Sequence, residues 1–136
     1  MKYKNNPLNI RHSSKFTWNG EVSHFNGFCV FSNQWFCYRA ALVILSKYKK
    51  RDLVSIRDII CTWAPPFENP TSSYMNFVSD KVGISPYISI YDPGLSLTQN
   101  LVNLLFWMSI FEQGSSFRPR LDIITDCVTK HIKLFS

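Results

Sequence analysis

The chain is poor in several features that would mark common functional classes. Among its 136 residues no apolar run is long enough to span a bilayer. The opening Met1-Lys2-Tyr3-Lys4-Asn5-Asn6 has no apolar core of the kind a secretory signal needs. The expectation is therefore synthesis in the cytoplasm without a signal peptide. Work at the cell wall or periplasm would then require delivery by a phage particle, by lysis or by a dedicated secretion system. No glycine-rich phosphate loop, HExxH or GxSxG occurs, so nucleotide binding, zinc-protease and α/β-hydrolase chemistry lack their anchors and no cofactor is expected. The four cysteines, Cys29, Cys37, Cys61 and Cys127, form no CxxC pair, which argues against a structural zinc site and leaves no metal expected. Free thiols are expected. Cys61 and Cys127 sit among apolar neighbours as small core residues, while Cys29 and Cys37 are near enough in sequence to pair in an oxidising compartment.

Acidic residues are also scarce, 9 against 15 lysines and arginines, for a formal charge of +6. Such an excess favours a polyanionic partner: nucleic acid, an anionic lipid surface or the acidic bacterial wall. Charge alone does not choose among them; as a functional class, nucleic-acid binding rests on charge and scattered aromatics alone and is the least favoured.

What the chain does contain is apolar and aromatic surface, 46% and 15% of its residues, enough for one compact domain over residues 1–136. Residues 5–20, rich in Asn, Pro, Ser and Gly, read as irregular loop, and His24–Phe31 as a short hairpin or extended segment. Periodicity predicts a first helix from about Gln34 to Tyr48 behind an Asn33 cap. A second begins at Ser55, with Asp58 completing a capping box, and ends at Pro65-Pro66. A third runs from about Thr71 to Val82 with Gly83 as its C-cap, a fourth from a Thr98 cap to near Glu112, and a last one from about Leu121 to Phe135. The fold class is mainly α, with an irregular or short β N-terminal segment.

Glu112 closes the apolar run Leu101–Phe111 and precedes Gln113-Gly114. Burial at the end of such a helix would raise a carboxyl pKa, which suits a general acid, and Phe111, Phe106 or Trp107 would hold it. Glu68 is the rival acid. It sits before the third helix, where capping of free N–H groups lowers a carboxylate pKa and suits a base or a structural role better. Glu21 lies in a polar segment with nothing to perturb it, and His12, His24 and His131 have no evident partners.

Several segments recur in a recognisable order: Asn5-Asn6-Pro7-Leu8-Asn9-Ile10-Arg11, Trp18-Asn19-Gly20, Arg39-Ala40, Trp63 to Thr71 (WAPPFENPT), Tyr74, Val78 and Glu112-Gln113-Gly114. In this order they resemble a family of phage and bacterial proteins with an NNPGNIR-type start, which includes P5-like phage virion structural proteins. The resemblance reaches to about Gly114, and Leu8 stands where the family has glycine. The Asn-rich start followed by Trp-x-Gly is also similar to the asparagine-rich region of flagellar-type glucosaminidases and other lysozyme-like enzymes, lytic transglycosylases among them. In those enzymes a helix ending in the catalytic Glu comes first, so the order here is reversed. A circularly permuted, lysozyme-like helical domain would reconcile the two.

The resemblance implies cleavage of peptidoglycan glycan strands, by a muramidase, glucosaminidase or lytic transglycosylase. Its general acid would be Glu112, or else Glu68, and Asn5, Asn6, Asn9, Arg11, Trp18, Asn69 and Tyr74 would line the sugar groove. The setting would be a phage particle or an exported antibacterial toxin, with peptidoglycan as the partner and an immunity protein or secretion carrier as further partners. The competing class is a non-enzymatic virion structural or adaptor protein.

Overall fold

The structure is a computed structural model and describes residues 1–65 and 70–136. It is a mainly helical small domain, five helices preceded by a two-stranded hairpin. Strands β1 (Glu21–Phe25) and β2 (Phe28–Phe31) pair antiparallel around Asn26-Gly27, both at positive φ as a tight hairpin turn demands. The helices are α1 (Gln34–Lys50), α2 (Ile56–Trp63), α3 (Thr71–Val82), α4 (Leu97–Gln113) and α5 (Leu121–His131), and a 3₁₀ turn over Ile132–Phe135 follows α5.

Local chemistry accounts for several of the ends. The Ser55 hydroxyl accepts the Asp58 N–H at the start of α2, as the capping-box pattern predicts. Gly83 closes α3 in the left-handed conformation. The cap of the fourth helix lies two residues before the expected Thr98, because the Ser96 hydroxyl accepts the Gln99 N–H. Asn33 occupies the α1 cap position without making a side-chain cap bond.

The buried side chains of α1 (Tyr38, Leu42, Leu45), α2 (Ile56, Ile59, Ile60), α3 (Tyr74, Val78), α4 (Leu101, Leu105, Met108) and α5 (Ile124, Val128) meet in one cluster. The Tyr38 hydroxyl bonds Ser109 Oγ at 2.9 Å, fixing α1 against α4. Cys127 is buried as expected, Cys61 is only half-buried, and all four thiols are free. Among the described residues no helix is long and apolar enough to cross a membrane.

The N-terminal segment, residues 1–12, is a strap rather than a loose loop. Leu8 and Ile10 are pegs in the core, so the leucine at position 8 is an anchoring residue with no left-handed turn to accommodate. The strap is knitted to β2 by Phe31 N–H to Lys4 O and Cys29 N–H to Ile10 O, and an Arg11–Phe28 bridge runs alongside. Its left-handed corners fall on Asn5 and Asn9, at φ +57° and +53°. Asparagine tolerates this region better than other residues with a side chain.

Gly20 shows how tightly the hairpin seats. At φ +79° its absent Cβ leaves room for the Phe36 ring, which would overlap any added methyl. Gly20→Ala combines left-handed strain with overpacking, and about 2–4 kcal/mol of stability should be lost, read as a lower urea midpoint.

Candidate functional site

Glu112 faces inward because of its register on α4. Leu101, Leu105, Met108 and Ser109 form the buried stripe of that helix, and residue 112 continues the same three- and four-residue spacing. At the helix end the stripe leaves the core and opens into a cleft of about 170 Å³. Lys2, Tyr3, Asn9, Arg11, Phe28, Trp63, Ala64 and Glu112 line it. Glu112 is the one carboxylate among the described residues of this lining.

The strap meets α4 at this point. Asn9 Nδ2 donates to Glu112 Oε1 at 2.9 Å, and Asn9 Oδ1 accepts from Gln113 Nε2 at 3.1 Å. Gln113 Nε2 also donates to Pro7 O at 3.0 Å, and its Oε1 accepts the Lys2 N–H at 3.1 Å. Gln113 therefore clamps the strap onto the helix end while its neighbour carries the acid.

Burial raises the Glu112 pKa above the ordinary carboxyl value, against opposing pulls from the Asn9 amide, the Tyr74 hydroxyl, the Lys2 charge and the Trp63 indole. Tyr74 is buried and stacked on Phe111 at 4.1 Å between ring centroids. Its hydroxyl lies beside the Glu112 carboxyl without closing a full hydrogen bond, and burial and that carboxylate both push its pKa well up. A buried hydroxyl left short of a full bond is costly, and it stands ready as a donor beside the carboxyl.

A second cleft of about 310 Å³ shares Asn9, Arg11 and Trp63 with the first and adds Ile10, Phe16, Trp18, Ile44 and Tyr48. Phe16 and Trp18 meet edge to face at 4.9 Å, with Phe16 half exposed. The Arg11 guanidinium lies over the Phe28 ring at 4.9 Å, and Tyr3 stacks on Phe28 at 4.3 Å. The two clefts thus offer one acid, one side-chain amide and aromatic faces in succession.

The structure divides the residues singled out in the sequence. It brings Asn9, Arg11, Trp18 and Tyr74 to Glu112 or to the adjoining cleft. Asn5 and Asn6 turn away from it. Asn5 Nδ2 donates to Phe31 O, and Asn6 is wholly buried with its amide committed to Ile10 and Cys29. Both hold the strap in shape and neither lines either cleft. Glu68 and Asn69 lie outside the described residues.

The walls differ from expectation too. Trp107 meets the Phe77 ring and Phe106 packs on Trp107, neither lining the cleft, and the aromatic walls come from Tyr3, Phe28 and Trp63 on other elements. Glu21 is far from unperturbed. Its carboxylate pairs with His12 Nδ1 at 2.6 Å, accepts the Trp18 N–H at 3.0 Å, and keeps 2% side-chain exposure. Burial there raises its pKa, but the His12 and Trp18 hydrogen bonds outweigh that and hold it below the usual value. His12 also stacks on His24 at 4.0 Å, and His131 Nδ1 bonds the Cys127 carbonyl, so none of the three histidines is isolated.

Removing the Asn9 side chain should push the Glu112 pKa further up, since its N–H stabilises the charged form. Asn9→Gly, which keeps the left-handed backbone accessible, is the variant of choice. Carbon-13 NMR titration of the Glu112 carboxyl should show a midpoint at higher pH than in the wild type; an unmoved midpoint would remove Asn9 as a tuning residue.

No family model matches the chain. It is moderately similar to Protein P5 of Pseudoalteromonas phage PM2, with 42% identity over 85 residues that cover 59% of this chain and 53% of that protein. The chain thus spans about half the length of the curated relative it matches.

Proposed function

We propose that this protein cleaves the glycan strands of peptidoglycan, with Glu112 as general acid. The observation that carries the reading is the Glu112 carboxyl itself: raised in pKa by burial, aimed by Asn9, and opening into a cleft with aromatic walls. In the reaction the protonated Glu112 gives its proton to the departing glycosidic oxygen as the C–O bond breaks. Asn9 and Tyr74 then stabilise the carboxylate that remains. The oxocarbenium-like sugar is captured by water in hydrolysis, or by a hydroxyl of the same sugar in a lytic transglycosylase, and the proton lost by the attacking O–H returns to the Glu112 carboxylate. A cleft with one carboxylate among its described residues accommodates the second route, because the substrate supplies the nucleophile.

An N-terminal asparagine-bearing strap laid against the end of the helix that carries Glu112 supports the circularly permuted, lysozyme-like reading. The Phe16–Trp18 cleft would seat neighbouring sugars by stacking, and the +6 charge would hold the protein on an acidic wall. Delivery would be by a phage particle, by lysis or by a dedicated secretion system, and an immunity protein or carrier belongs to the toxin version of that setting.

The similarity to a phage protein favours a second reading, a non-enzymatic virion structural or adaptor protein. Purified sacculi separate the two. Muropeptide release by the wild-type chain supports the enzyme, and the reducing or anhydro ends of the products assign hydrolase or transglycosylase. Intact sacculi after prolonged incubation with folded protein would sink the enzymatic reading in favour of the structural one.

A further inference from the structure

A second cluster lies on the hairpin, apart from the Glu112 cleft. His12 comes from the strap, Glu21 from the start of β1 and Cys29 from β2, and one ligand atom of each lies within 4.8 Å of the others. The Glu21 side chain is 2% exposed and Cys29 is fully buried, while His12 keeps 25% side-chain exposure. A thiol, a carboxylate and an imidazole that converge from three chain segments, with one face open, form a donor set for a borderline-soft ion. Magnesium and calcium, which prefer all-oxygen shells, would reject the sulfur.

We propose that His12 Nδ1, the Glu21 carboxylate and Cys29 Sγ bind a zinc ion that pins the strap to both strands of the hairpin.

Three protein ligands leave a fourth position for water. His24 is not one of the converging donors, and its ring lies face to face with His12 at 4.0 Å and 13°. Ligand atoms around tetrahedral zinc, with bonds of about 2.0–2.3 Å, stand roughly 3.3–3.7 Å apart. The His12–Glu21 pair, now at 2.6 Å, must therefore open by about 1 Å. His12, the most exposed of the three ligands at 25%, is the one placed to move. Binding replaces the Cys29 S–H bond by S–Zn and releases one proton to solvent. Without metal, burial and the adjoining Glu21 charge push that thiol up to about 12, a burden that the ion's positive charge reverses. A CxxC search passes over this cluster because its donors are spaced 9 and 8 residues apart on three different elements.

The test uses the whole chain after chelator treatment, titrated with Zn²⁺ alone and, separately, with Co²⁺ as a spectroscopic probe. One equivalent of Zn²⁺ should bind and raise the melting temperature, and Co²⁺ should produce a near-ultraviolet thiolate charge-transfer band. His12→Gln should weaken Zn²⁺ binding by about 100-fold or more, since even outer-shell partners are worth 10–100-fold. Cys29→Ser should abolish the cobalt band, and Cys61→Ser, at a half-exposed thiol elsewhere, should retain it. Circular dichroism of the apo variants checks that each is folded. If Cys29→Ser fails to fold, His12→Gln, altered near the surface, carries the test. A wild type with neither band nor Zn²⁺-dependent shift, or a band that survives in Cys29→Ser, would reduce the cluster to a hydrogen-bonded clasp.

Discussion

Glu112→Gln should lower muropeptide release from sacculi by about 10²–10⁴-fold, the share of rate a positioned general acid supplies, and at the same time raise the melting temperature. Both effects come from the same burial. The amide keeps the shape of the carboxyl and still accepts the Asn9 N–H, so the cleft is preserved while the transferable proton is gone. For stability the sign follows from the direction of the shift. The folded-state pKa lies above the unfolded one, so the protein favours the neutral acid. Stability is therefore greatest below the ordinary carboxyl value and is lost as pH rises through the raised pKa. Above that it stays reduced by about 1.4 kcal/mol for each unit of difference. Glutamine carries no charge to bury, so at pH 7 the variant should be the more stable, read as a higher Tm. Below about pH 4 the difference should vanish, since Glu112 is then neutral in both the folded and unfolded states. An inactive and destabilised variant would point to a scaffold role for Glu112. Unchanged release would move the acid elsewhere, with Glu68→Gln as the next variant to assay.

The pH profile of the wild type is tied to the same residue. The protonated form does the work, so activity should persist above the range in which an ordinary carboxyl has ionised. It should then fall as pH climbs through the raised pKa.

Much of the helical layout was legible in the sequence because it depends on local chemistry. The Ser55–Asp58 cap, the Gly83 stop and the apolar spacing of residues 71–82 are each set by groups within a turn of one another. The facing of Glu112 was not legible in this way. Residues 101–111 are apolar nearly all round, so periodicity does not say which side of α4 meets the core. Only the packing of that helix against its neighbours selects the stripe that continues to 112.

The cleft walls were harder still. Lys2, Tyr3 and Phe28 belong to a strap and a strand with no regular spacing. Trp63 reads as one more apolar residue at the end of α2. They converge because Leu8 and Ile10 anchor the strap, a long-range event without a local signature. The same holds for His12 and Glu21, nine residues apart in a polar stretch. Their pairing depends on the hairpin folding back to place β1 beside the strap.

Asn6→Ala should be among the most destabilising single substitutions in the chain, costing about 3–4 kcal/mol against a total of roughly 5–15 for a domain of this kind. Asn6 has no solvent exposure, and both ends of its amide are in use. Nδ2 donates to Ile10 O and Cys29 O, each at 2.9 Å, and Oδ1 accepts from Ile10 N–H at 2.9 Å and from the Cys37 thiol at 3.4 Å. Alanine leaves the Ile10 N–H without its acceptor and strips two buried carbonyls of a donor. Water cannot replace any of these without opening the strap. Asn6→Asp has the same outline and should be worse near neutral pH. It turns a donor into a third oxygen facing two carbonyls, with a charge to bury among them. Urea denaturation of the two variants beside the wild type measures both effects. The ordering matters more than either magnitude. A residue that contacted sugar would weaken substrate binding and leave the denaturation midpoint nearly unmoved. A residue that shapes the strap should lose stability first, and activity only as the strap is released from Glu112.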